Sequence, residues 1–397
     1  MEPTGGFRSL APYLWPIYGP WMAASLGMSG LLVALPIVLV AEGHGYAVAA
    51  VVAGAGGAGA ALGALPTGWA TDRWGPARAG VGALLLMVAS ATVMTISVRP
   101  VILGVGHLAF GAGSLGVMLS RQADLTPRIP VVLRGRAMSL MGGTLRFSVF
   151  IGTAVGGLLV DLAGARWTFV AAGLGAAIGI PAVLPGARNP AAEVAPVGAG
   201  GPGVWTVVRR HRRRLLHAGL FGMSSMTTRE GRMVLLPLVG VALDLRPATI
   251  GVLVAAGYGA DLLLFPVSGA VMDRFGRRAA MVPAYGLLAV GLLCLVAADS
   301  STGVLVAGLV MGLGNGLSSG SLFTLSSDVA PAEGTASFLA ASSLLTDGGR
   351  VMGPAIVAVV ADRWGLDAAA VVLAATMTAG LVWLCLVVGE TGERGSR

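Results

Sequence analysis

The sequence predicts an all-α membrane protein with twelve transmembrane helices, arranged as two six-helix bundles. Its 397 residues are 55% hydrophobic and 11% charged, whereas a soluble domain has about 25% charged residues. The apolar runs continue for about 20 residues, the length that crosses a hydrocarbon core as a helix, and they lack the alternation typical of a β-barrel. The second half of the chain also repeats the first at a constant offset. These observations exclude a soluble protein and indicate a duplicated helical membrane protein.

The apolar runs set the order of the predicted elements. Short charged segments separate them, and each run is long enough for one span at about 1.5 Å per residue. The predicted spans are 20–41, 46–70, 79–98, 101–121, 137–160, 167–185, 215–241, 247–271, 279–298, 302–326, 336–361 and 367–388. They divide the chain into an N-terminal bundle at 1–185, a linker at 186–214 and a C-terminal bundle at 215–397.

The distribution of arginine predicts the orientation in the membrane. All 26 basic residues are Arg; with both termini inside, eighteen fall on internal segments and four on external loops. Because short cytoplasmic loops collect basic residues, both termini are predicted to be cytoplasmic, in a plasma (inner) membrane. The basic run at 209–214 adjoins span 7. We interpret it as a topology determinant that meets anionic lipid, and no nucleic acid partner is expected.

Adding 201 to a residue number repeatedly gives the equivalent residue of the second half. The pairs are Leu35-Pro36 with Leu236-Pro237, Gly111 with Gly312, Gly113 with Gly314, and Gly152 with Gly353. Six spans repeated in parallel imply a pseudo-twofold axis along the membrane normal. Halves related in this way expose a site near the midplane to each side in turn.

The loops after spans 2 and 8 contain two copies of one short motif, also separated by 201. Its members are Gly68, Asp72, Arg73, Gly75 and Arg78 in the first copy and Gly269, Asp273, Arg274, Gly276, Arg277 and Arg278 in the second. In the first copy, Pro76 and Ala77 replace residues that are basic in the second. The motif resembles the cytoplasmic signature of the major facilitator superfamily, and the chain resembles the 12-span drug/proton antiporter type of that family along all its spans.

The resemblance implies a conformational switch at this signature. Its glycines would permit a tight turn and close helix approach, and its charges would form ion pairs that break when the halves rock. In the family, the arginine pairs with an acid at the inner end of the fourth span of its half; those acids are here Asp124 and Asp328. The alternative is that these charges only mark topology.

Spans 5 and 4 resemble two further motifs of the family, each incompletely. Span 5 has Gly152, Gly156 and Gly157 of the antiporter signature but lacks its first Gly and its Pro. This resemblance implies export. In span 4, His107 stands where the family motif usually begins with Arg, so it either takes part in proton movement or is a hydrogen-bonded structural residue.

Ionisable side chains at membrane depth cost about 2.5–3.5 kcal/mol each on insertion scales, so they are functional candidates. The N-terminal half has one, Arg146. The C-terminal half has six, namely Arg229, Glu230, Arg232, Asp261, Asp347 and Arg350. Asp347 and Arg350 share a helical face and are expected to neutralise each other.

The family resemblance suggests how the other charges meet. Spans 5 and 8 of the family lie side by side, which implies a pair between Arg146 and Asp261 across the halves, either functional or a permanent structural salt bridge. Spans 1, 4, 7 and 10 line the central cavity of the family. The candidates for solute and proton contact are therefore Arg229 and Arg232 on one face of span 7, Glu230 or Asp261 as proton carrier, and Asn315, Ser318 and Ser319 on span 10 as hydrogen-bonding groups.

Other classes of site are not indicated. The pattern GxGxxG at 54–59 lies in an apolar helix with no strand before it, and is typical of close helix packing rather than dinucleotide binding. A P-loop requires Lys, which the chain lacks, and no His, Cys or carboxylate set has metal-ligand spacing. The sequence therefore predicts no cofactor, no metal and no enzymatic activity.

The resulting hypothesis is a monomeric, proton-coupled secondary transporter that exports a small organic or drug-like solute. An importer or an anion-preferring carrier is one alternative, the latter favoured by four buried arginines against three buried acids. A receptor or scaffold that has lost transport is another. The two signatures argue against it, because a static scaffold has little need of a breakable ion pair.

Overall fold

The computed structural model describes residues 14–129, 131–188, 204–331 and 333–391, and every regular element within them is a helix. The first half contains α1 (Gly19–Ala41, after a π-helical turn Leu14–Tyr18), α2 (Tyr46–Trp74), α3 (Pro76–Ile96), α4 (Pro100–Leu125, followed by the 3₁₀ turn Thr126–Arg128), α5 (Val131–Ala163) and α6 (Ala165–Arg188). The second half contains α7 (Val204–Ala242), α8 (Pro247–Phe275), α9 (Arg277–Val296), α10a (Ser301–Leu317), α10b (Ser321–Asp328), α11 (335–364), α12 (366–383) and the π-helical turn Leu384–Val388.

Twelve of these helices or helix pairs correspond to the predicted spans. Ten stretches in the described residues are long and apolar enough to cross a membrane, and the one at Ser337–Val388 contains two helices because Gly365 (φ 86°, ψ 170°) breaks it. The remaining helix is α7. Helix α7 is long enough to cross a membrane but is not apolar enough by composition, because Arg229, Glu230 and Arg232 interrupt its apolar run.

The predicted linker at 186–214 is shorter than expected. Helix α7 begins at Val204, so the basic run is helical, with a kink at His211 (φ −114°, ψ 22°). Helix α6 continues to Arg188. The Pro- and Gly-rich residues 189–203 lie outside the described part of the chain.

The backbone repeats between the halves as closely as the sequence does. Helix α2 spans 46–74 and α8 spans 247–275, so both ends differ by 201. Three turns with positive φ follow the same offset, namely Gly43 (83°) with Asp244 (52°), Gly75 (81°) with Gly276 (94°), and Gly164 (89°) with Gly365 (86°). This match agrees with two six-helix bundles related by a pseudo-twofold axis.

Each bundle contains the same close contact between two helices, made by equivalent glycines. Gly111 of α4 lies against the backbone of Gly56 in α2, and Gly312 of α10a lies against Gly257 in α8. A Cβ atom at Gly111 or Gly312 would overlap the facing carbonyl oxygen. Small residues at these positions let the two helix backbones approach closely. Such close packing stabilises helix contacts in lipid, where no hydrophobic driving force acts between helices.

The two bundles are in close contact at the end of the molecule opposite the signature turns. We call the end with Gly75 and Gly276 the signature end. At the other end, a Cβ on Gly157 of α5 would lie 2.7 Å from the Cα of Gly251 in α8, and Gly54 of α2 packs against Pro354 of α11. The salt bridge between Arg246 and Asp161, 2.7 Å long, also joins the halves there.

The signature end is more open around the signature glycines Gly68 and Gly269. A Cβ built on Gly68 or on Gly269 has no heavy atom within 4 Å. The close helix approach expected at these two residues is therefore absent in this conformation, and only Gly75 and Gly276 make the expected turns. The molecule is closed at one end and open around these glycines at the other.

Helix α10 is not continuous, although the sequence predicts one span at 302–326. It stops at Leu317 and resumes at Ser321, and Gly320 between them is left-handed (φ 74°). The equivalent stretch of the first half, 117–119, remains helical within α4. Glycine adopts positive φ without the steric penalty of a Cβ, so the Ser-Ser-Gly sequence permits this break.

Candidate functional site

A polar network at mid-depth joins the two halves through Arg146. Its Nε donates to Oδ1 of Asp261 (3.2 Å) on α8 and its Nη2 donates to Oγ of Ser319 (2.6 Å) at the α10 break. The guanidinium carbon lies 4.3 Å from the ring centroid of Phe265. The predicted contact between Arg146 and Asp261 is therefore present, with Ser319 as an additional partner.

Asp261 is fully engaged in this conformation. Its Oδ1 accepts from Arg146, and its Oδ2 accepts from Nδ2 of Asn315 (2.7 Å). The side chain is 4% exposed. Both carboxylate oxygens thus accept a hydrogen bond from a charged or polar donor, so neither is left unsatisfied at depth.

A second cluster links α7 to α11. Arg350 donates through Nη1 to Oε1 of Glu230 (3.0 Å) and through Nε to Oδ1 of Asp347 (2.8 Å). The predicted pair of Asp347 and Arg350 is present, and Glu230 joins it from the neighbouring helix. The other oxygen of Glu230 faces the first half, 3.6 Å from the Cβ position of Gly57 in α2. Two carboxylates therefore share one guanidinium beside the contact between the halves.

Arg229 contacts neutral groups. Its Nη2 donates to Oγ of Ser318 (2.6 Å) at the α10 break and reaches the hydroxyl of Tyr285 (3.4 Å) on α9. The Tyr285 hydroxyl also hydrogen-bonds Ser321 (3.0 Å), the first residue of α10b. The face of α7 with Arg229 is thereby tied to both sides of the break.

Arg232, one turn further along α7, has a different environment. It is 6% exposed, and its guanidinium carbon lies 5.4 Å from the ring centroid of Tyr258 on α8. Its Nε and Nη2 are buried without a hydrogen-bond partner among the described residues. Beside it, between α7, α8 and α10a, is a partly open cavity of about 20 Å³.

The α10 break organises much of the network. Ser318 and Ser319 accept hydrogen bonds from Arg229 and Arg146, and Ser268 of α8 donates to the carbonyl oxygen of Ser319 (2.6 Å). The break lies at the carboxyl end of α10a, where unpaired carbonyls give a partial negative charge. Two arginines from two different halves are thus placed at one interrupted helix end.

At the first signature, the expected partner of Asp124 is replaced. Its carboxylate bonds Arg128 (2.6 Å) and Arg121 (3.2 Å), and Arg121 also donates to the carbonyl oxygen of Pro76 (3.1 Å). Arg73 and Asp72 are exposed on α2. The predicted pair of Arg73 and Asp124 is therefore wrong for this conformation, because arginines three and four residues from Asp124 on its own chain segment reach it first.

At the second signature, the acid does bind the motif but through a different arginine. Asp328 accepts from Nε of Arg277 (3.0 Å), and Asp273 lies 3.8 Å from the same guanidinium. Arg274 instead lies over the ring of Phe275 (5.4 Å). The predicted pair of Arg274 and Asp328 is thus replaced by a pair with Arg277.

Glu390 completes the second signature and was not predicted. Its two carboxylate oxygens accept from the backbone N–H groups of Arg277 (2.9 Å) and Arg278 (3.1 Å), the first residues of α9. A carboxylate at a helix amino terminus satisfies unpaired N–H groups and the helix dipole. Thr391 donates to Asp328 (3.2 Å), so the segment after α12 is tied to the signature turn.

His107 is apart from the mid-depth network. The ring is fully buried, with Nδ1 2.9 Å from the carbonyl oxygen of Val52 and 3.2 Å from the N–H of Gly56. Both residues belong to α2 of the same half. These contacts are those of a packing residue between α4 and α2, the structural alternative for this histidine.

Sequence reasoning missed several network members for a common reason. Tyr285, Tyr258 and Phe265 lie in apolar runs, where an aromatic residue ordinarily indicates core packing. Their recognisable signal is their occurrence on helices that face the charged part of α7 or α5. Among the described residues, no group of three or more His, Cys, Asp or Glu side chains is placed to hold a metal ion.

Comparison with known proteins agrees with this architecture. Comparison with curated proteins gives no match. Among solved structures, the chain is similar to a POT family transporter in complex with a thioalcohol-conjugated peptide (TM-score 0.76, 13% identity, 96% of this chain and 95% of that one). It is also similar to a single-site variant of the nucleoside transporter NupG (TM-score 0.74, 14% identity, 94% of this chain and 99% of that one). At such identities the likeness concerns the fold.

The family model described as Major Facilitator Superfamily matches residues 21–229 and, separately, 218–397. The two matches correspond to the two bundles and together cover nearly the whole chain. With the duplicated backbone and the two signature turns, they show that this chain belongs to the major facilitator superfamily.

Proposed function

We propose that this protein is a proton-coupled secondary transporter that exports a small organic solute by alternating access. Membership in the family and the transporter fold support secondary transport through the membrane rather than enzymatic activity. The proton coupling rests on one observation, the sharing of Arg350 by Glu230 and Asp347.

Two carboxylates and one guanidinium give this cluster one excess negative charge when both acids are ionised. A net charge in a low-dielectric interior is costly, so uptake of one proton makes the cluster neutral and removes that cost. Asp347 keeps its hydrogen bond to Arg350 if Glu230 takes the proton. Glu230 also faces Gly57 of the first half, so a change in its charge would alter the electrostatic interaction between the two bundles.

Asp261 is the second candidate for the proton. Both of its oxygens accept hydrogen bonds in this conformation, whereas no described residue donates to Oε2 of Glu230. Glu230 is therefore the stronger candidate here. Separation of Arg146 from Asp261 when the halves move would expose Asp261 to protonation in the alternate state.

Export and membrane placement are further parts of the proposal. The glycines Gly152, Gly156 and Gly157 retain part of the antiporter motif, which supports export. The signature end is rich in arginine, which supports a cytoplasmic position for this end and for both termini in a plasma membrane. The open signature end would then receive solute from the cytoplasm and release protons into it, with one chain acting as a monomer.

The coupling is tested by proton-gradient-driven flux in proteoliposomes over a panel of organic solutes. We expect Glu230→Gln to lower gradient-driven flux by about tenfold or more, since a group that carries the proton cannot be replaced by an amide. Gradient-independent exchange of solute should survive in the same variant. Unchanged driven flux in Glu230→Gln, Asp261→Asn and the double variant would refute the coupling.

The direction is tested by growth of cells that express the protein in the presence of toxic compounds. An exporter protects the cells, and Glu230→Gln expressed at the same level should not. Absence of protection against every compound, together with uptake of any of them, would show that the protein is an importer.

A further inference from the structure

The starting observation is that the mid-depth arginines are unequally paired. Arg146 and Arg350 have carboxylate partners, and Arg229 has the hydroxyls of Ser318 and Tyr285. Arg232 has neither among the described residues, and two of its three nitrogens are buried without any partner. A buried guanidinium that loses its hydration without gaining a partner costs several kcal/mol.

The charge count points the same way. At mid-depth in the described residues there are four arginines, namely Arg146, Arg229, Arg232 and Arg350, and three carboxylates, namely Glu230, Asp261 and Asp347. Each carboxylate already binds Arg146 or Arg350. The four arginines exceed the three carboxylates by one. Arg229 and Arg232 both lack a carboxylate, and of these two only Arg232 also lacks a neutral hydrogen-bond partner among the described residues.

A space for a compensating group lies beside Arg232. The cavity of about 20 Å³ is lined by Arg232, Met233, Leu236, Val254, Gly257, Tyr258 and Gly308. A space of that size holds one particle of about the size of a water molecule. A water molecule supplies a dipole but no charge, so it leaves the excess positive charge in place.

We propose that this cavity is an anion site, in which Arg232 binds a small monovalent anionic group, either a free halide or one oxygen of a solute carboxylate whose remainder lies outside the cavity. The apolar side chains of Met233, Leu236 and Val254 line the cavity and lower the local dielectric, which strengthens the attraction between the anion and the guanidinium. The Tyr258 ring holds Arg232 in position from the α8 side. The site belongs to the second half alone and does not depend on the direction or the coupling of transport.

The experiment measures anion binding rather than transport. The full-length protein in lipid nanodiscs is titrated with radioactive chloride, and its melting temperature is measured in sodium chloride and in sodium gluconate at equal ionic strength. A ligand of the native state raises the melting temperature by mass action. We expect saturable chloride binding and a melting temperature higher by about 3 °C at saturating chloride than in gluconate.

Two variants address different properties of the site. Arg232→Met removes the charge and keeps an apolar, flexible side chain of similar length; it should lose about tenfold or more in chloride affinity. Gly308→Ala keeps the charge and adds a methyl group to the cavity wall, where a Cβ meets Leu253 O at 3.5 Å and Leu236 Cδ1 at 3.6 Å. Because these are ordinary contacts, this variant should fold normally and bind chloride more weakly. The matched control Arg363→Gln removes an exposed arginine and should bind chloride as the wild type does.

Competition with organic anions identifies the source of the group. Displacement of chloride by acetate, lactate and benzoate would indicate a carboxylate-bearing solute, whereas displacement by bromide alone would indicate a resident halide. Both results support an anion site. Equal melting temperatures and no saturable binding in the wild type, or binding that persists unchanged in Arg232→Met, would overturn it.

Discussion

At the residue scale, the mid-depth arginines are divided by what they bind. Arg146 and Arg350 have carboxylates and lie where helices of both halves approach. Arg229 has only neutral oxygens, and Arg232 has an aromatic ring. The pair of Arg146 and Asp261 spans the interface and is suited to breaking and reforming as the halves move. The arginines without carboxylates are suited to a ligand that arrives from outside the chain.

The pair of Arg146 and Asp261 offers a test by double-mutant cycle. Asp261→Asn leaves a buried guanidinium without its counter-charge and should lower the free energy of unfolding by about 3 kcal/mol. The double variant Arg146→Met with Asp261→Asn removes both charges, so it should recover most of that loss. The measurement is unfolding in mixed detergent micelles. Additive losses in the double variant would show that the two side chains are not coupled.

The sequence predicted residue pairs where the partners are specified by helix position, and failed where several partners compete. Asp347 and Arg350 lie three apart on one helix, so their contact follows from the helix period. Arg73 and Arg274 were expected to bind Asp124 and Asp328, but Arg121, Arg128 and Arg277 are within reach of the same acids. Which arginine binds each acid depends on how the ends of neighbouring helices are placed relative to each other. A single sequence does not encode that placement locally.

At the element scale, the break in α10 is the main departure from the repeat. Hydropathy predicts one span, because Ser and Gly are tolerated in membrane helices. What turns the Ser-Ser-Gly sequence into a break is the supply of partners. Ser268 donates to the backbone carbonyl oxygen of Ser319, and Arg229 and Arg146 donate to the hydroxyls of Ser318 and Ser319. Those partners come from three other helices. For this reason the span was predictable and its interruption was not.

Gly320 provides a test of the break. Its φ of 74° is unfavourable for any residue with a Cβ, so Gly320→Ala should lower the free energy of unfolding by about 1–2 kcal/mol. The strain would also favour a continuous helix, which moves Ser318 and Ser319 away from the arginines and should slow flux. The matched control is Gly286→Ala in α9, a helical glycine with nothing within 4 Å of its Cβ position, which should be neutral or stabilising. Equal stability of the two variants would show that the break is not strained by a Cβ.

Glu390 shows the same dependence on context in the segment after α12. The residue follows a helix end and has no partner that its sequence position reveals, yet it caps α9 more than a hundred residues earlier. Glu390→Gln keeps one acceptor oxygen, replaces the other with an amide NH2 and removes the charge at the helix terminus. We expect a loss of about 0.5–1 kcal/mol in unfolding free energy at low salt, and a smaller loss at high salt because salt screens the interaction. A salt-independent loss would assign the effect to the hydrogen bonds alone.

At the scale of the whole molecule, the structure corresponds to one of the two states that the proposed alternating access requires. The bundles close at one end through Gly54, Gly157 and Gly251, while Gly68 and Gly269 at the signature end have open space around them. The sequence predicted the duplication and singled out Gly54, Gly157, Gly68 and Gly269, but not Gly251. It could not predict which set is in contact, because both states use the same residues and differ only in the tilt of the halves.

The open space at Gly68 and Gly269 leads to a prediction about the alternate state. A large side chain there fits this conformation, but it would obstruct closure of the signature end. Gly68→Trp and Gly269→Trp should therefore leave folding intact and shift the population to the state described here. Flux should fall by about tenfold or more, because transport requires both states. Solute shifts the equilibrium between the states only by the difference in its affinity for them, so it would not restore the obstructed state.

Two measurements separate obstruction from a general defect. Gly82→Trp on α3 is the matched control, because its Cβ position is also free of neighbours within 4 Å but lies outside the signature, and its flux should equal that of the wild type. Hydrogen exchange at the closed end, in α2 near Gly54 and in α8 near Gly251, should slow in the two signature variants, since that seam opens only when the signature end closes. Wild-type flux in both signature variants would mean that the halves do not approach each other at these glycines, and alternating access through this end of the molecule would have to be abandoned.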